Sequence, residues 1–362
     1  MGWSLRIGRI AGTDIGLHIT FLLFLAWIGL ADYLVGGTAA AVDAVVFIML
    51  VFLCVTLHEF GHIAMARRFG IKTPTVVLTP IGGIASLERM PDRPGQELLV
   101  AIAGPLVNVV IALLLMAGFG LSLSGVLTVD LEQASLAERL LLVNVTLVAF
   151  NLIPAFPMDG GRVLRALLAM KLGAQRATSL AAKIGQGFAA LFVLLGLFFS
   201  PILVLIGVFI YFAAAAEAQS AAFTGFAAKL TVRDAMEPAA IILDESQPLS
   251  AAIDALLASP QTEFPVLGTN GRARGLLDRD AMILALREHG EATPISSAMR
   301  PAQPLLLAQP LAEAFNSMRS RGANAEVVVD GNGQVVGVLS SGNIAEMMLV
   351  NSVRPGWRFR RR

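Results

Sequence analysis

The chain has 362 residues, of which 56% are hydrophobic and 15% charged, with a formal net charge of +1 and a mean hydropathy of +0.73. Soluble domains carry about 25% charged residues, so much of this surface must face something other than water. The near-neutral total argues against nucleic acid as a partner, and the single cysteine, Cys54, excludes an internal disulfide framework and any CxxC metal site.

The charge is unevenly spread. Residues 98–123 carry none, whereas residues 229–300 are charged at an ordinary soluble density, which predicts a membrane half followed by a soluble half. Residues 1–16, with Arg6 and Arg9, alternate loosely and read as short extended structure at an interface. Residues 17–35 can span a bilayer, since about 20 helical residues cross ~30 Å of hydrocarbon. This run is too long for a signal peptide and lacks a small-residue cleavage site, so it is expected to stay as a membrane helix. A Gly/Ala linker around 36–43 leads to a second span, 42–66, which ends at Arg67 and Arg68.

That second span holds the pentapeptide His58-Glu59-Phe60-Gly61-His62, preceded by the uncharged run Ala44–Leu57. Two histidines four apart on a helix lie about 40° apart around its axis, so both can reach one ion. Glu59 is placed to hold a water on that ion and take its proton. The bland alternative is a pair of buried histidines and a glutamate packed in a helix. Ionisable groups inside a span are costly, and that cost favours a functional reading.

Residues 71–90 place β-branched residues on either side of Pro80-Ile81-Gly82-Gly83 and predict a hairpin. It is too apolar for an ordinary exposed loop, so it is expected to dip into the membrane beside the motif, where such backbone must pack on protein or line a wet cavity. A third span, 97–120, holds Gly104-Pro105 and Asn108. A fourth begins near Leu136 and runs into Asn151, after which Pro154, Pro157, Gly160 and Gly161 must unwind the helix around Asp159. Helix is expected again over 162–172, then a fifth span, 177–199, and a sixth, 201–221, joined by a tight turn at Ser200-Pro201. In this arrangement Arg6, Arg9, Arg67, Arg68, Lys72, Arg89, Arg93, Arg165, Lys171 and Arg176 fall on one side, and the loops 36–43 and 121–135 contain no Lys or Arg. Both termini are therefore expected in the cytoplasm of a multi-pass cell-membrane protein.

Catalytic zinc usually takes three protein ligands and leaves one position for water. His289 lies in the soluble half and His18 at the start of the first span, where it reads as an interfacial or supporting group. Asp159 lies at membrane depth, where an isolated carboxylate is hard to keep ionised without a cation, and it is the expected third ligand beside His58 and His62. Cys54, one turn before His58, reads as a small apolar filler.

From Thr231 to Val350 the chain repeats itself. Val232–Pro238 is echoed by Ile295–Pro301, and Pro248 and Gly275 recur as Pro310 and Gly337, both 62 residues on. Each unit reads strand, helix, strand, strand, helix. This resembles a tandem pair of CBS modules, which implies docking of the two modules, homodimerisation through them, and adenine nucleotide binding. The acidic residue that typically contacts ribose in that family is replaced here by Ala281 and Asn343, with Asp280 one place early.

HEFGH on the second span, Pro80-Ile81-Gly82-Gly83, Ala103-Gly104-Pro105 with Asn108, and Asn151-Leu-Ile-Pro followed by Pro157-Met-Asp159-Gly-Gly-Arg162 resemble the site-2 protease family of intramembrane metalloproteases, in its branch with C-terminal CBS modules. The resemblance covers nearly the whole chain. It implies one zinc ion held by His58, His62 and Asp159, Glu59 as general base, and Asn151 and Asn108 as donors to substrate or oxyanion; a helix-packing hydrogen bond between spans is the alternative for each, and the preferred one for Asn108. The substrate would be a membrane protein cleaved within a transmembrane segment, as in regulated intramembrane proteolysis.

The expected fold is a polytopic α-helical membrane protein of about six transmembrane helices with a membrane-associated β-hairpin (1–226), followed by a soluble α/β tandem CBS domain (227–350, repeats 231–289 and 293–350). A basic tail, 351–362, follows, with five arginines that suit anionic lipid. The rival readings are a CBS-gated transporter and a catalytically inactive relative.

Overall fold

The computed structural model describes residues 4–354 except 11, 81, 87–90, 92, 129, 131–133, 229 and 239–240. Ile81 of the expected hairpin, Arg89, and tail residues 355–362 lie outside the described residues. Two compact units emerge, Met1–Ala221 and Ala222–Arg362.

The first unit begins with strands β1 (Ser4–Ile10) and β2 (Thr13–His18) and then α1 (Ile19–Arg68), a 50-residue element. A straight helix of that length would run about 75 Å, well over the ~30 Å of a hydrocarbon core. Gly37 resolves this with a left-handed backbone (φ 72°, ψ −162°) that breaks the helix. The chain folds back there: the Phe21 and Phe52 ring centroids lie 4.3 Å apart, and Gly29 faces Val45. The expected linker over 36–43 thus reduces to a single non-helical residue, because helix-forming alanines 39–41 carry the second arm straight out of the bend.

β3 (Thr75–Thr79) and β4 (Gly82–Ser86) follow, and the sheet order is β1-β2-β3-β4. β1 and β2 are antiparallel, β2 and β3 parallel (Asp14 opposite Thr75 through Leu17 opposite Leu78), and β3 and β4 antiparallel. The N-terminal strands therefore extend the 75–86 pair into a four-stranded sheet with β4 at one edge.

α2 (Pro94–Phe119) starts with Pro94 in its first turn and stops at Gly120 in the left-handed region. After the short α3 (Leu123–Thr128), α4 (Leu136–Asn151) opens on a capping box between Ser135 and Glu138. Residues 152–158 are non-helical, and α5 (Asp159–Leu172) begins at Asp159 itself, three residues earlier than expected. The reason is local: a Cβ on Gly160 would strike the Leu152 and Ile153 carbonyl oxygens, and one on Gly161 would meet Ala155. Two glycines let the unwound segment wrap closely round the first turn of α5.

α6 (Ala174–Phe199) and α7 (Pro201–Ala227) complete the bundle. Among the described residues α1, α2, α6 and α7 are long and apolar enough to cross a membrane. Their exterior is apolar: Leu114, Phe198, Phe199, Leu205 and Phe212 are two-thirds or more exposed, which suits lipid rather than water.

The second unit contains α8 (Val232–Ala235), β5 (Leu243–Asp244), α9 (Leu249–Ala258), β6 (Glu263–Leu267), β7 (Ala273–Asp278), α10 (Arg279–His289), β8 (Arg300–Pro301), β9 (Leu305–Leu306), α11 (Leu311–Ser320), β10 (Ala325–Val329), β11 (Val335–Ser340) and α12 (Ser341–Val353). The sheets run β5-β6-β7-β8 and β11-β10-β9. The packing module is not the sequence repeat. Val232, Ala235 and Met236, from the start of the first repeat, are buried with Leu305, Leu311, Val328 and Leu339 of the second. Ile295, from the start of the second, is buried with Leu249, Phe264 and Leu277 of the first. Each repeat's leading segment closes the other's hydrophobic face, so neither can complete its core alone.

In the bundle, α1 and α2 meet backbone to backbone at Gly61, where a Cβ would come within 2.5 Å of the Ala103 carbonyl oxygen. Gly61→Val is expected to overpack this contact and cost about 1–3 kcal/mol. A lowered thermal midpoint of the detergent-solubilised protein is the outcome expected, and an unchanged midpoint contradicts the packing described.

Candidate metal centre

The second arm of α1 presents His58 and His62 one turn apart on the side that faces α2 and α5. His58 is 6% exposed, and the Nε2 atoms of the two histidines lie 3.1 Å apart. Asp159, at the first position of α5, brings Oδ2 to 3.2 Å from His58 Nε2 and 3.3 Å from His62 Nε2. Among the described residues these three form a group able to hold a metal ion. Donors around tetrahedral zinc at about 2.0–2.1 Å stand about 3.3–3.4 Å from one another, so the observed triangle matches one face of that tetrahedron.

The outer nitrogens fix how the rings present themselves. His62 Nδ1 lies 2.7 Å from the Val100 carbonyl oxygen, which can only accept, so Nδ1 carries a proton and, in the neutral ring, Nε2 offers its lone pair to the triangle. His58 Nδ1 lies 2.5 Å from Asn108 Oδ1 and is set in the same way. Such outer partners orient metal-binding imidazoles and raise their basicity. With both Nε2 atoms unprotonated, two lone pairs and a carboxylate oxygen converge on one point, and that donor set fits a divalent cation.

Glycines admit this crowding. A Cβ on Gly104 of α2 would collide with His62 Nε2 and come within 2.7 Å of His58 Nε2. α5 is tied to α2 by an ion pair between Arg165 and the buried Glu97, with Arg165 Nε 2.7 Å from Glu97 Oε1. That link holds the helix carrying Asp159 against the helix carrying Gly104 and Val100.

Glu59 lies against β4: a Cβ on Gly83 would be 2.7 Å from Glu59 Cγ. Its ionisable neighbours are His62, His58, Asp159 and Arg162. The outer strand of the sheet thus runs beside the carboxylate of the motif.

The remaining candidates have other places. Asn108 is fully buried and bonded to the outer nitrogen of His58, on the far side of that ring from Asp159. Asn151 is the last residue of α4, half-buried, and among the described residues no hydrogen bond joins it to the triangle. His18 caps α1, its Nδ1 accepting from Thr20, and Cys54 is buried with its Sγ 3.5 Å from Asn144 Nδ2. Sequence reasoning missed Asn144, whose amide is bonded to that of Asn108. The signal was there, since Asn144 is a lone amide in the apolar run 140–150 and intramembrane polar groups seldom lack a task.

The family model described as Peptidase family M50 matches residues 46–137 and 123–195, and that of the CBS domain matches residues 299–350. A zinc metalloprotease of Methanocaldococcus jannaschii is 37% identical over 279 residues, covering 76% of this chain and 78% of the relative. A Synechocystis protein is 28% identical over 371 residues and 96% of both chains. Among solved structures, the site-2 protease from Methanocaldococcus jannaschii is 38% identical with a TM-score of 0.44, over 60% of this chain and 95% of that one. The chain belongs to peptidase family M50, the site-2 protease family of zinc metalloproteases, with a CBS domain at its C-terminal end.

Proposed function

We propose that the protein is an intramembrane zinc endopeptidase that cleaves transmembrane segments of membrane proteins, with His58, His62 and Asp159 holding the metal and Glu59 as general base. The triangle of three donor atoms, 3.1–3.3 Å on a side with Glu59 next to it, carries this reading. Zinc bound there supplies a Lewis acid that polarises a peptide carbonyl and acidifies a water. Glu59 takes the proton from the attacking water and hands it to the departing amine nitrogen. Asn151, beside the unwound segment, remains the candidate donor to a substrate carbonyl or oxyanion.

A peptide bond inside a transmembrane helix is shielded by its own hydrogen bonds, so the substrate must be extended before attack. The β4 edge beside Glu59 suits capture of an extended segment by strand addition. Substrates with helix-weakening residues in their spans are therefore the expected class. We read the two arms of α1 with α2, α4, α6 and α7 as six spans, and the arginines near their ends favour both termini on the cytoplasmic side of a cell membrane. α4, at 16 residues, crosses together with the unwound segment that follows it.

For the CBS domain we propose a regulatory and dimerising role. The first nucleotide position is the apolar Ala281, and at the second the Asn343 amide donates to Glu237 Oε2 at 3.0 Å. Adenine nucleotide control would have to work without the acidic ribose contact. A gated transporter, the rival class, has no use for a carboxylate poised beside a three-donor metal triangle, and an inactive relative has no use for Glu59.

Glu59→Gln is expected to abolish cleavage of a membrane substrate while purified protein still carries one zinc per chain, and wild-type turnover in that variant would sink the mechanism. Asp159→Ala is expected to lose the zinc itself, read by elemental analysis of the purified protein; full zinc occupancy would remove Asp159 from the ligand set.

A further inference from the structure

Asn108 and Asn144 are both fully buried, on α2 and α4, and their amides form a directed chain. It starts at the Leu140 carbonyl oxygen, which accepts from Asn144 Nδ2 at 2.8 Å. A carbonyl can only accept, so the end of Asn144 turned to it must be the NH2 group, and Oδ1 is left facing Asn108. Asn144 Oδ1 accepts from Asn108 Nδ2 at 2.8 Å, which leaves Asn108 Oδ1 facing His58 Nδ1 at 2.5 Å. An isolated amide can present either end with nearly the same shape. Here the direction is set three bonds away by a backbone carbonyl of another helix.

We propose that Asn144 is a positioning residue of the metal centre: acting through Asn108, it holds His58 in the tautomer whose Nε2 lone pair faces Asp159. The inference rests on the reading of His58, His62 and Asp159 as a zinc site. Without Asn144, the Asn108 amide is free to turn its NH2 group toward Nδ1. That would favour the opposite tautomer, with a proton on Nε2 where the metal must bind. His62 needs no such relay, because a backbone carbonyl meets its Nδ1 directly. The two histidines of one motif are thus oriented by different means, and only His58 depends on a residue two side chains distant.

The test measures zinc affinity of the full-length, detergent-purified protein by competition with a chromophoric chelator. Asn144→Leu is expected to weaken zinc binding about 10–100-fold, as loss of outer-shell support does. Asn108→Asp supplies an acceptor with no donor end to misdirect, and with that variant as the reference, adding Asn144→Leu should cause no further loss. Two results overturn the proposal. One is wild-type affinity in Asn144→Leu. The other is the same weakening whether Asn144→Leu is made in the wild-type chain or on top of Asn108→Asp, which marks a packing defect. A wild-type chain with no zinc affinity would instead bring down the proposed function, and this inference with it.

Discussion

Three electron-rich atoms held within 3.1–3.3 Å of one another, away from water, are the constraint around which this membrane unit is built. Two imidazole lone pairs and a carboxylate oxygen repel each other unless a cation or protons sit among them, and burial makes that repulsion stronger. Hydrogen bonds on the outer side of both rings, to Val100 and Asn108, keep an Nδ1 proton outward and turn each Nε2 toward the centre of the group. Three donor atoms from two helices converge on one point, and that convergence is what suits a divalent ion.

Holding those atoms there requires helices to approach more closely than ordinary side chains allow. Gly61 lets α1 touch the α2 backbone, Gly104 leaves room for both imidazoles, and Gly160 and Gly161 let the unwound segment lie on α5. In a bilayer there is no hydrophobic drive between helices, so such small-residue contacts, together with buried polar links, must supply the association. The Arg165–Glu97 pair and the Asn108–Asn144 pair are links of that kind. Each connects two helices, and each ends at an element that carries or supports the three donors.

The C-terminal unit follows a different logic. Its two repeats exchange their leading segments, Val232–Met236 into one core and Ile295 into the other. Glu326, fully buried on β10, pairs with Arg321 of its own repeat and with Arg300 of the exchanged β8, each at 3.2 Å. A buried charge of this sort is costly unless both partners are present, so it favours the docked pair over separated modules.

Much was legible in the chain. Composition and uncharged runs marked the membrane half because lipid exposure demands apolar residues all round a helix. HEFGH pointed to a shared ion because helical periodicity alone brings residues four apart together, Asp159 stood out because a carboxylate at depth needs a cation, and the structure brings these three donors into one group. The 62-residue period revealed the paired modules. The rest depended on contacts between segments far apart in sequence, which local pattern does not encode. Only the tertiary structure reduced the 36–43 linker to a bend at Gly37, added β1 and β2 to the hairpin sheet, and interlocked the repeats. It also set Asn108 behind His58, on the outer nitrogen of that ring, and brought in Asn144, 36 residues later, behind it. The direction of an amide is invisible in a sequence; it was decided here by one carbonyl oxygen, that of Leu140, which can do nothing but accept.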